Sequence, residues 1–316
     1  MQIAWELEDQ EAGGVITHPT LGVGRIVSDE AAFDEFEGEE EVIGTDERIF
    51  VSDTKKAPYR WVCSLDLYFQ DPDDAKQVLL HHGSGTLIGE KHVLTCGHCL
   101  LNDMKGSKGT VKKLKPMKIM VTPGRCGIGT TDATKAPWGY SQAASFKPSP
   151  EWEKRYDPQY DFGLITLMLP LGKDPVGYWG SRKSGQGTQI DVISPKKMTG
   201  QPMNVSGYPA DKCRDRPATG SASEADIKAC AVPDWASTQW RSSGKVTDST
   251  PVDYPNLIYF DADTYEGHSG GPVWFYYAKG SKRNMIAINS GYLSAFKLNC
   301  GVRITKDVMN AVRKLM

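Results

Sequence analysis

The 316-residue sequence has no apolar run near the roughly 18 residues that a membrane-spanning helix requires. It has no repeat at a fixed period, and helical spacing of apolar residues is sustained only at its C-terminal end. These absences exclude a helical membrane anchor, a solenoid and a mostly helical fold. The first ten residues lack the basic start and apolar centre of a secretory signal. Either a signal has already been removed, or the protein begins here and stays inside the cell. Basic residues are nearly missing from the N-terminus. Residues 1–41 hold twelve acidic groups and only Arg25 as a base, a net charge of −11. Residues 42–316 hold 36 basic and 27 acidic groups, or +9, so the overall −2 conceals an acidic leader on a basic body. Composition leaves two readings of the leader open: a disordered solubilising tail, or a removable segment that docks on the body.

What is abundant is turn chemistry. Glycine (32) and proline (19) punctuate short apolar runs from about residue 50 onward, among them Arg60–Phe69, His92–Cys96, Phe162–Leu169, Leu257–Asp261 and Gly271–Tyr277. This spacing predicts an all-β sandwich or barrel. One helix is predicted over Thr305–Met316, where Ile304, Val308, Val312 and Leu315 share a face. Pro170–Gly187 reads as a linker between two β units, and residues 211–238 as a surface insertion. Within that insertion, Cys213 and Cys230 are spaced for a local disulfide. The seven cysteines lean towards an oxidising compartment, with at least one left unpaired in the chain. The lysines at 105, 108, 112, 113, 115 and 118 are not interleaved with aromatics, so they read as a solvated hairpin and not as a nucleic-acid surface.

The chemistry concentrates in three places. Gly267-His268-Ser269-Gly270-Gly271-Pro272 sets a serine in a tight turn between strand-like runs. Such a turn brings the N–H groups of Gly267 and Ser269 into one small space, where two donors can hold the oxyanion of an acyl-transfer intermediate. A serine hydroxyl needs a base, and His98 ends the strand-like run leading into Leu94-Thr95-Cys96-Gly97-His98-Cys99. An imidazole in that role needs an orienting partner. Asp161 opens the apolar run Asp161–Leu167. Singly, each residue also fits a structural role; together, in the order His–Asp–Ser on a β-rich chain, they point to nucleophilic hydrolysis.

Gly83-Ser84-Gly85-Thr86-Leu87-Ile88-Gly89, Leu94–Cys99, Asp161–Leu167 and Gly267–Pro272 resemble the chymotrypsin-like serine proteases. Ile43–Arg48, Ser206–Lys212, Asp263–Tyr265 and Arg303–Lys306 are similar to the bacterial-type glutamyl endopeptidase branch. The resemblance implies an all-β fold of two antiparallel β-barrels with a C-terminal α-helix. The implied divisions are a leader at 1–41, an N-terminal barrel over 42–169, a linker over 170–187, a C-terminal barrel over 188–303 and the helix over 304–316. It also implies a serine endopeptidase with catalytic His98, Asp161 and Ser269 and an oxyanion hole at Gly267 and Ser269. Thr264, Asn289, Ser290 and Gly291 would bind substrate. No metal or other cofactor is implied. The expected partners are a polypeptide substrate and the protein's own leader, with no nucleic acid or membrane; the molecule would be a monomer, secreted or periplasmic. Mature enzymes of this branch begin near the match to Val42-Ile43-Gly44, so Glu41–Val42 would be the activation site of a zymogen. Activity should then rise through roughly pH 6–8 as a histidine of ordinary basicity deprotonates.

The sequence departs from the family pattern at four positions. His268 stands where the trypsin-like branch has an acid that pairs with the new N-terminus. Asn289 stands where the glutamyl branch has a histidine that contacts the acidic substrate side chain. Asp263 occupies the position that selects Lys or Arg in trypsin, although the glutamyl branch can carry an aspartate there too. Gly83 occupies the place of the usual disulfide partner of Cys99, leaving Cys63 as a candidate partner or Cys99 as a free thiol. Two other functions remain to be weighed: a protease-fold protein that binds without cutting, and a thiol–disulfide oxidoreductase built on Cys96-Gly-His-Cys99. The second lacks the helix and βαβ unit that motif needs.

Overall fold

The computed structural model describes residues 36–37, 40–127, 135–181, 188–190, 192–212, 236–251, 254–277, 282–294 and 296–316. Cys213, Cys230 and most of the 211–238 insertion lie outside these residues.

Two short strands come first, β1 (Phe36–Glu37) and β2 (Ile49–Phe50). Then follow β3 (Val62–Gln70), β4 (Val78–Leu87), β5 (His92–Thr95), the paired β6 (Asn102–Lys105) and β7 (Val111–Leu114), β8 (Lys118–Pro123), β9 (Ser141–Pro148) and β10 (Gly163–Leu167). Six of them close into a barrel in the order β10–β5–β4–β3–β8–β9. β3 and β4 pair over nine residues, from Val62 opposite Thr86 to Gln70 opposite Val78. Leu65, Leu87, Val93, Val121 and Ile165 share the inner face by register and are fully buried. Each such side chain contributes about 1.5–3 kcal/mol relative to exposure.

The second group is β11 (Thr188–Ile190), β12 (Pro202–Gly207), β13 (Trp240–Asp248), β14 (Leu257–Phe260), β15 (Pro272–Tyr277), β16 (Lys282–Leu293) and β17 (Leu298–Arg303). The path β16–β15–β12–β13–β14–β17 is closed by direct β16–β17 pairing, which makes a second six-stranded barrel. β1, β2 and β11 attach to its outside. Val205, Val246, Ile258, Phe260, Val273 and Phe275 form its interior.

Two antiparallel barrels are thus present, as the resemblance implied. The segment expected as a linker is anchored where it is described: Trp179 packs edge-on against Trp61 and Trp274, and its Nε1 donates to Gln189 O at 2.8 Å. The lysine-rich stretch forms the β6–β7 hairpin, with Lys115 Nζ 2.6 Å from Glu153 Oε1 at the surface.

There are two α-helices among the described residues. α1 (Pro150–Arg155) starts at Ser149, whose Oγ accepts from Trp152 N, and stops at Tyr156 in the left-handed conformation. Its six residues are too short to show helical periodicity in the sequence. α2 (Lys306–Leu315) begins at the Thr305 cap and buries Val308 and Val312, as the C-terminal spacing predicted.

Candidate active site

Strand register brings Asp161 to His98. β10 pairs with β5 so that Gly163 faces Thr95, and the chain ends that run on from this pair carry Asp161 and Gly97. Gly97 is required there, because a Cβ would lie 2.7 Å from the Trp152 ring and 3.0 Å from Asp161 Oδ1. With glycine in place, His98 N donates to Asp161 Oδ1 at 2.8 Å, and His98 Nδ1 lies 2.7 Å from Asp161 Oδ2. α1 braces the same loop, its Trp152 ring lying 6.2 Å from the imidazole. A third donor reaches the carboxylate from the other barrel: Ser290 Oγ donates to Asp161 Oδ2 at 2.6 Å. Ser290 can do this because β16 bulges against β17 between Asn289 and Gly291, and a bulge redirects the side chains it displaces. Asp161 is fully buried.

Ser269 follows a turn in which Gly267 has φ +95°, and a Cβ there would meet Tyr208 O at 2.4 Å. Neither the Gly267 nor the Ser269 N–H donates to another backbone group among the described residues. Both residues are buried. Unclaimed donors on buried residues are rare, and here they sit beside a serine. His268 fastens this turn. Its Nδ1 accepts from Tyr265 N at 3.2 Å, and burial pulls the imidazole down to about 3, so it stays neutral without an ion pair.

Glu40, not His98, is hydrogen-bonded to the Ser269 hydroxyl. Glu40 is buried, and its Oε1 accepts from Ser269 Oγ at 3.1 Å and from Asn289 Nδ2. Glu41 O accepts from Thr264 N at 3.1 Å, and its N–H donates to Asn299 Oδ1. The chain then passes Asp263, whose two carboxylate oxygens accept from Ile43 N at 2.8 Å and Glu47 N at 2.7 Å. Further on, Arg48 is clasped between Asp46 and Asp211, and Lys212 Nζ donates to Asp46. The four charges of this buried group cancel. Sequence reasoning assigned roles to neither Glu40 nor this quartet. The only signal for the quartet was the pairing of the Ile43–Arg48 and Ser206–Lys212 motifs.

Burial pushes the Glu40 carboxyl well above the usual range, and the opposing pull of His98 and of the Ser269 hydroxyl is smaller. For His98, burial is the largest single influence and lowers basicity, but the Asp161 carboxylate and Cys99 together outweigh it and the net shift is well upward. The rise of activity expected at roughly pH 6–8 therefore moves higher. The base must be neutral to accept the serine proton, so kcat/KM is expected to climb through a midpoint above pH 6.5. A pH–rate profile checks this, and a midpoint at or below 6.5 would show that Asp161 does not hold the imidazolium.

Four buried cysteines, Cys63, Cys96, Cys99 and Cys300, are free thiols. Cys99 does not bridge to Cys63, whose Sγ instead approaches Trp61 O. Gly83 does face Cys99, since a Cβ there would lie 2.9 Å from its Sγ. Cys96, His98 and Asp161 are clustered closely enough to hold a metal ion, but Asp161 Oδ2 and His98 Nδ1 already face each other. No helix among the described residues is long and apolar enough to cross a membrane.

A family model described as "Trypsin-like peptidase domain" matches residues 83–279, most of both barrels. The chain belongs to the trypsin-like peptidase family. This trypsin-like peptidase is 27% identical over 277 residues to a Bacillus licheniformis protein named glutamyl endopeptidase, an alignment covering 85% of this chain and 67% of that one. It is 26% identical to a Bacillus subtilis protein named extracellular metalloprotease, over 86% of this chain and 68% of the other. Among solved structures it resembles a Glu endopeptidase in complex with MPD (TM-score 0.59, 24% identity, 86% of this chain and 98% of that one). It also resembles the protease Anisep of Arthrobacter nicotinovorans (TM-score 0.51, 17% identity, 80% and 93%). Those two structures share the fold. The trypsin-like peptidase is accordingly a serine endopeptidase, a hydrolase of polypeptides.

Proposed function

We propose that this endopeptidase works through Ser269, His98 and Asp161, and that it is made as a zymogen held inactive by residues 1–41 until cleavage near Glu41–Val42. The observation that carries the reading is the occupancy of the site by the leader's own end. Glu40 Oε1 accepts hydrogen bonds from Ser269 Oγ and Asn289 Nδ2, while Glu41 O accepts one from Thr264 N. Upstream, β1 pairs antiparallel with the β16 edge, Phe36 facing Leu293 and Glu37 facing Tyr292. An extended peptide substrate adds to a sheet edge in the same manner. The charges of leader and body, −11 and +9, favour the same docking.

Once the leader leaves, the Ser269 hydroxyl is released to His98 Nε2, the nitrogen left over when Nδ1–H is held by Asp161. His98 takes the proton as Oγ attacks the scissile carbonyl. The tetrahedral oxyanion forms beside the Gly267 and Ser269 N–H groups, and the protonated imidazole then gives its proton to the departing amine. Water repeats the sequence on the acyl-enzyme. Thr264, Asn289, Ser290 and Gly291 flank the substrate side chain. We place the enzyme outside the cytoplasm, acting as a monomer without metal or cofactor.

Labelling by a fluorophosphonate tests the reading. The intact chain should label at least tenfold more slowly than the chain after limited proteolysis, and the label should sit on Ser269. Glu40→Ala should raise labelling of the uncleaved chain by a similar factor. An intact chain that retains Met1 and reacts as fast as the processed form would overturn the zymogen. A processed chain that never labels would leave a protease-fold binding protein.

A further inference from the structure

We propose that the open cavity beside Ser269 and His98 receives the side chain that follows the cut, and that its apolar lining selects an aliphatic residue there, with Met104 setting the size that fits. The inference rests on the serine endopeptidase reading and adds a determinant of its substrates.

The cavity, about 380 Å³ and open to solvent on one side, is lined by both Ser269 and His98. Its apolar lining comes from Leu67 and Phe69 of β3 and from Met104 of β6, all of them buried. His81 stands edge-on to Phe69 at 5.6 Å. Burial and the neighbouring His82 hold the His81 imidazole down at about 4, so this wall is uncharged where the enzyme works. His82 lies 3.1 Å from Asp66, which also pairs with Arg125. Glu266 brings a carboxylate to the same lining. An aliphatic side chain entering here buries apolar surface, whereas an acidic one meets Glu266.

Chain direction decides which half of a substrate meets this cavity. β1 runs antiparallel along β16 at Phe36–Glu37, and the leader then reaches Ser269 with Glu40. A substrate pairing the same way lays the half before the cut on β16 and carries the half after it past Ser269. The cavity lies off β16: its walls come from β3, β4, the segment between His98 and Met104, and the turn at Ser269. Beyond Glu40 the leader takes another course, since Glu41 bonds Thr264 and Asn299. His98 adds a chemical reason. It protonates the departing amine, so the residue bearing that nitrogen must lie against the imidazole, and the cavity does. The activation bond read above, Glu41–Val42, itself places an aliphatic residue after the cut. Met104 is the wall to vary, because β6 pairs with β7 in a two-stranded sheet apart from both barrels, whereas Leu67 and Phe69 belong to a barrel strand.

By microscopic reversibility the same cavity receives an incoming amine, and the test uses this. p-Nitrophenyl acetate acetylates Ser269: the Oγ proton passes to His98, the C–Oγ bond forms, and p-nitrophenol leaves with that proton. An amino-acid amide then competes with water for the acetyl group. Its nitrogen attacks the ester carbonyl and loses a proton to His98, and the C–Oγ bond breaks as that proton returns to Oγ. The acetyl group carries no side chain, so the residue before the cut plays no part. The ratio of acetylated amide to acetate is also independent of how much protein is active. The full chain after limited proteolysis is given leucinamide, phenylalaninamide, glycinamide, lysinamide or aspartic acid α-amide at equal free-amine concentration. The Ser269→Ala chain supplies the uncatalysed background, and fluorophosphonate labelling of Ser269 runs in parallel.

Leucinamide should capture about tenfold more acetyl than glycinamide or aspartic acid α-amide, the worth of half-burying one aliphatic side chain. Met104→Ala should raise the Phe:Leu capture ratio about threefold or more by widening the cavity. Met104→Trp should lower the Leu:Gly ratio by about fivefold or more by filling it. Glycinamide, lysinamide or aspartic acid α-amide captured as well as leucinamide would overturn the proposal, as would ratios left unmoved in both folded variants. A chain that acetylates Ser269 and yields acetate alone overturns the proposal and leaves the endopeptidase standing. One in which Ser269 takes neither acetyl nor fluorophosphonate sinks the endopeptidase reading as well.

Discussion

Replacing Ser269 by alanine is expected to lower peptide turnover by roughly 10⁶-fold while the chain stays folded. The Oγ makes one hydrogen bond in the intact protein, to Glu40 Oε1, and no core contact depends on it. The stability change should therefore lie within about 1 kcal/mol, the worth of one typical hydrogen bond. The Gly267 and Ser269 N–H groups survive the change, because alanine keeps the backbone. A residual rate above the uncatalysed one should remain, on the order of 10³-fold. Turnover of a chromogenic peptide and thermal unfolding of the same preparations check both halves of this expectation. A loss smaller than tenfold would mean that another nucleophile acts, and the buried thiol of Cys99, beside His98, would be the first to test. The variant also separates two routes of maturation. If the protein removes its own leader, the Ser269→Ala chain should stay uncleaved alone and be cut when active enzyme is added.

The candidate chemical residues stood out in the sequence, and less of what surrounds them did. The three catalytic candidates were legible because each lies on or next to a strand whose apolar run is complete, so local pattern and motif coincide. The C-terminal helix was legible for the same reason: Ile304, Val308 and Val312 all enter the core. α1 was not, because its signal is a Ser-Pro cap followed by a single buried side chain, Trp152. β9 was missed since exposed Gln142, Ala144 and Ser145 leave it almost no alternation to read. Glu40 was the largest omission at the site. Its neighbours Glu39 and Glu41 are chemically identical to it, and only the path of the chain past Thr264 and Asp263 decides which carboxyl meets Ser269. The Arg48 quartet was hidden because its partners come from segments 163 residues apart.

Asp161→Asn is expected to cost about 10⁴-fold in kcat with little change in fold. The carboxylate accepts three hydrogen bonds: from His98 N on Oδ1, and from His98 Nδ1 and Ser290 Oγ on Oδ2. An asparagine has one acceptor oxygen and one amide that can only donate. Whichever way it turns, one side meets a donor head-on. If Oδ1 stays with the His98 backbone N–H, the new amide faces Nδ1, and the imidazole must give up its proton there to accept. The proton then resides on Nε2, the atom that should receive it from Ser269, and the base is lost as a tautomer although the ring has not moved. A second effect separates this outcome from simple misplacement. Against the downward pull of burial, Asp161 is the larger of the two groups that lift His98 above its ordinary basicity, Cys99 being the other. Removing it should move the acid limb of the residual pH–rate profile downward, below that of the unsubstituted enzyme. Asp161→Glu keeps the charge and shifts its position, so it should lower the rate and leave that limb high. A slow Asn variant with an unmoved acid limb would show that the carboxylate orients His98 without governing its protonation.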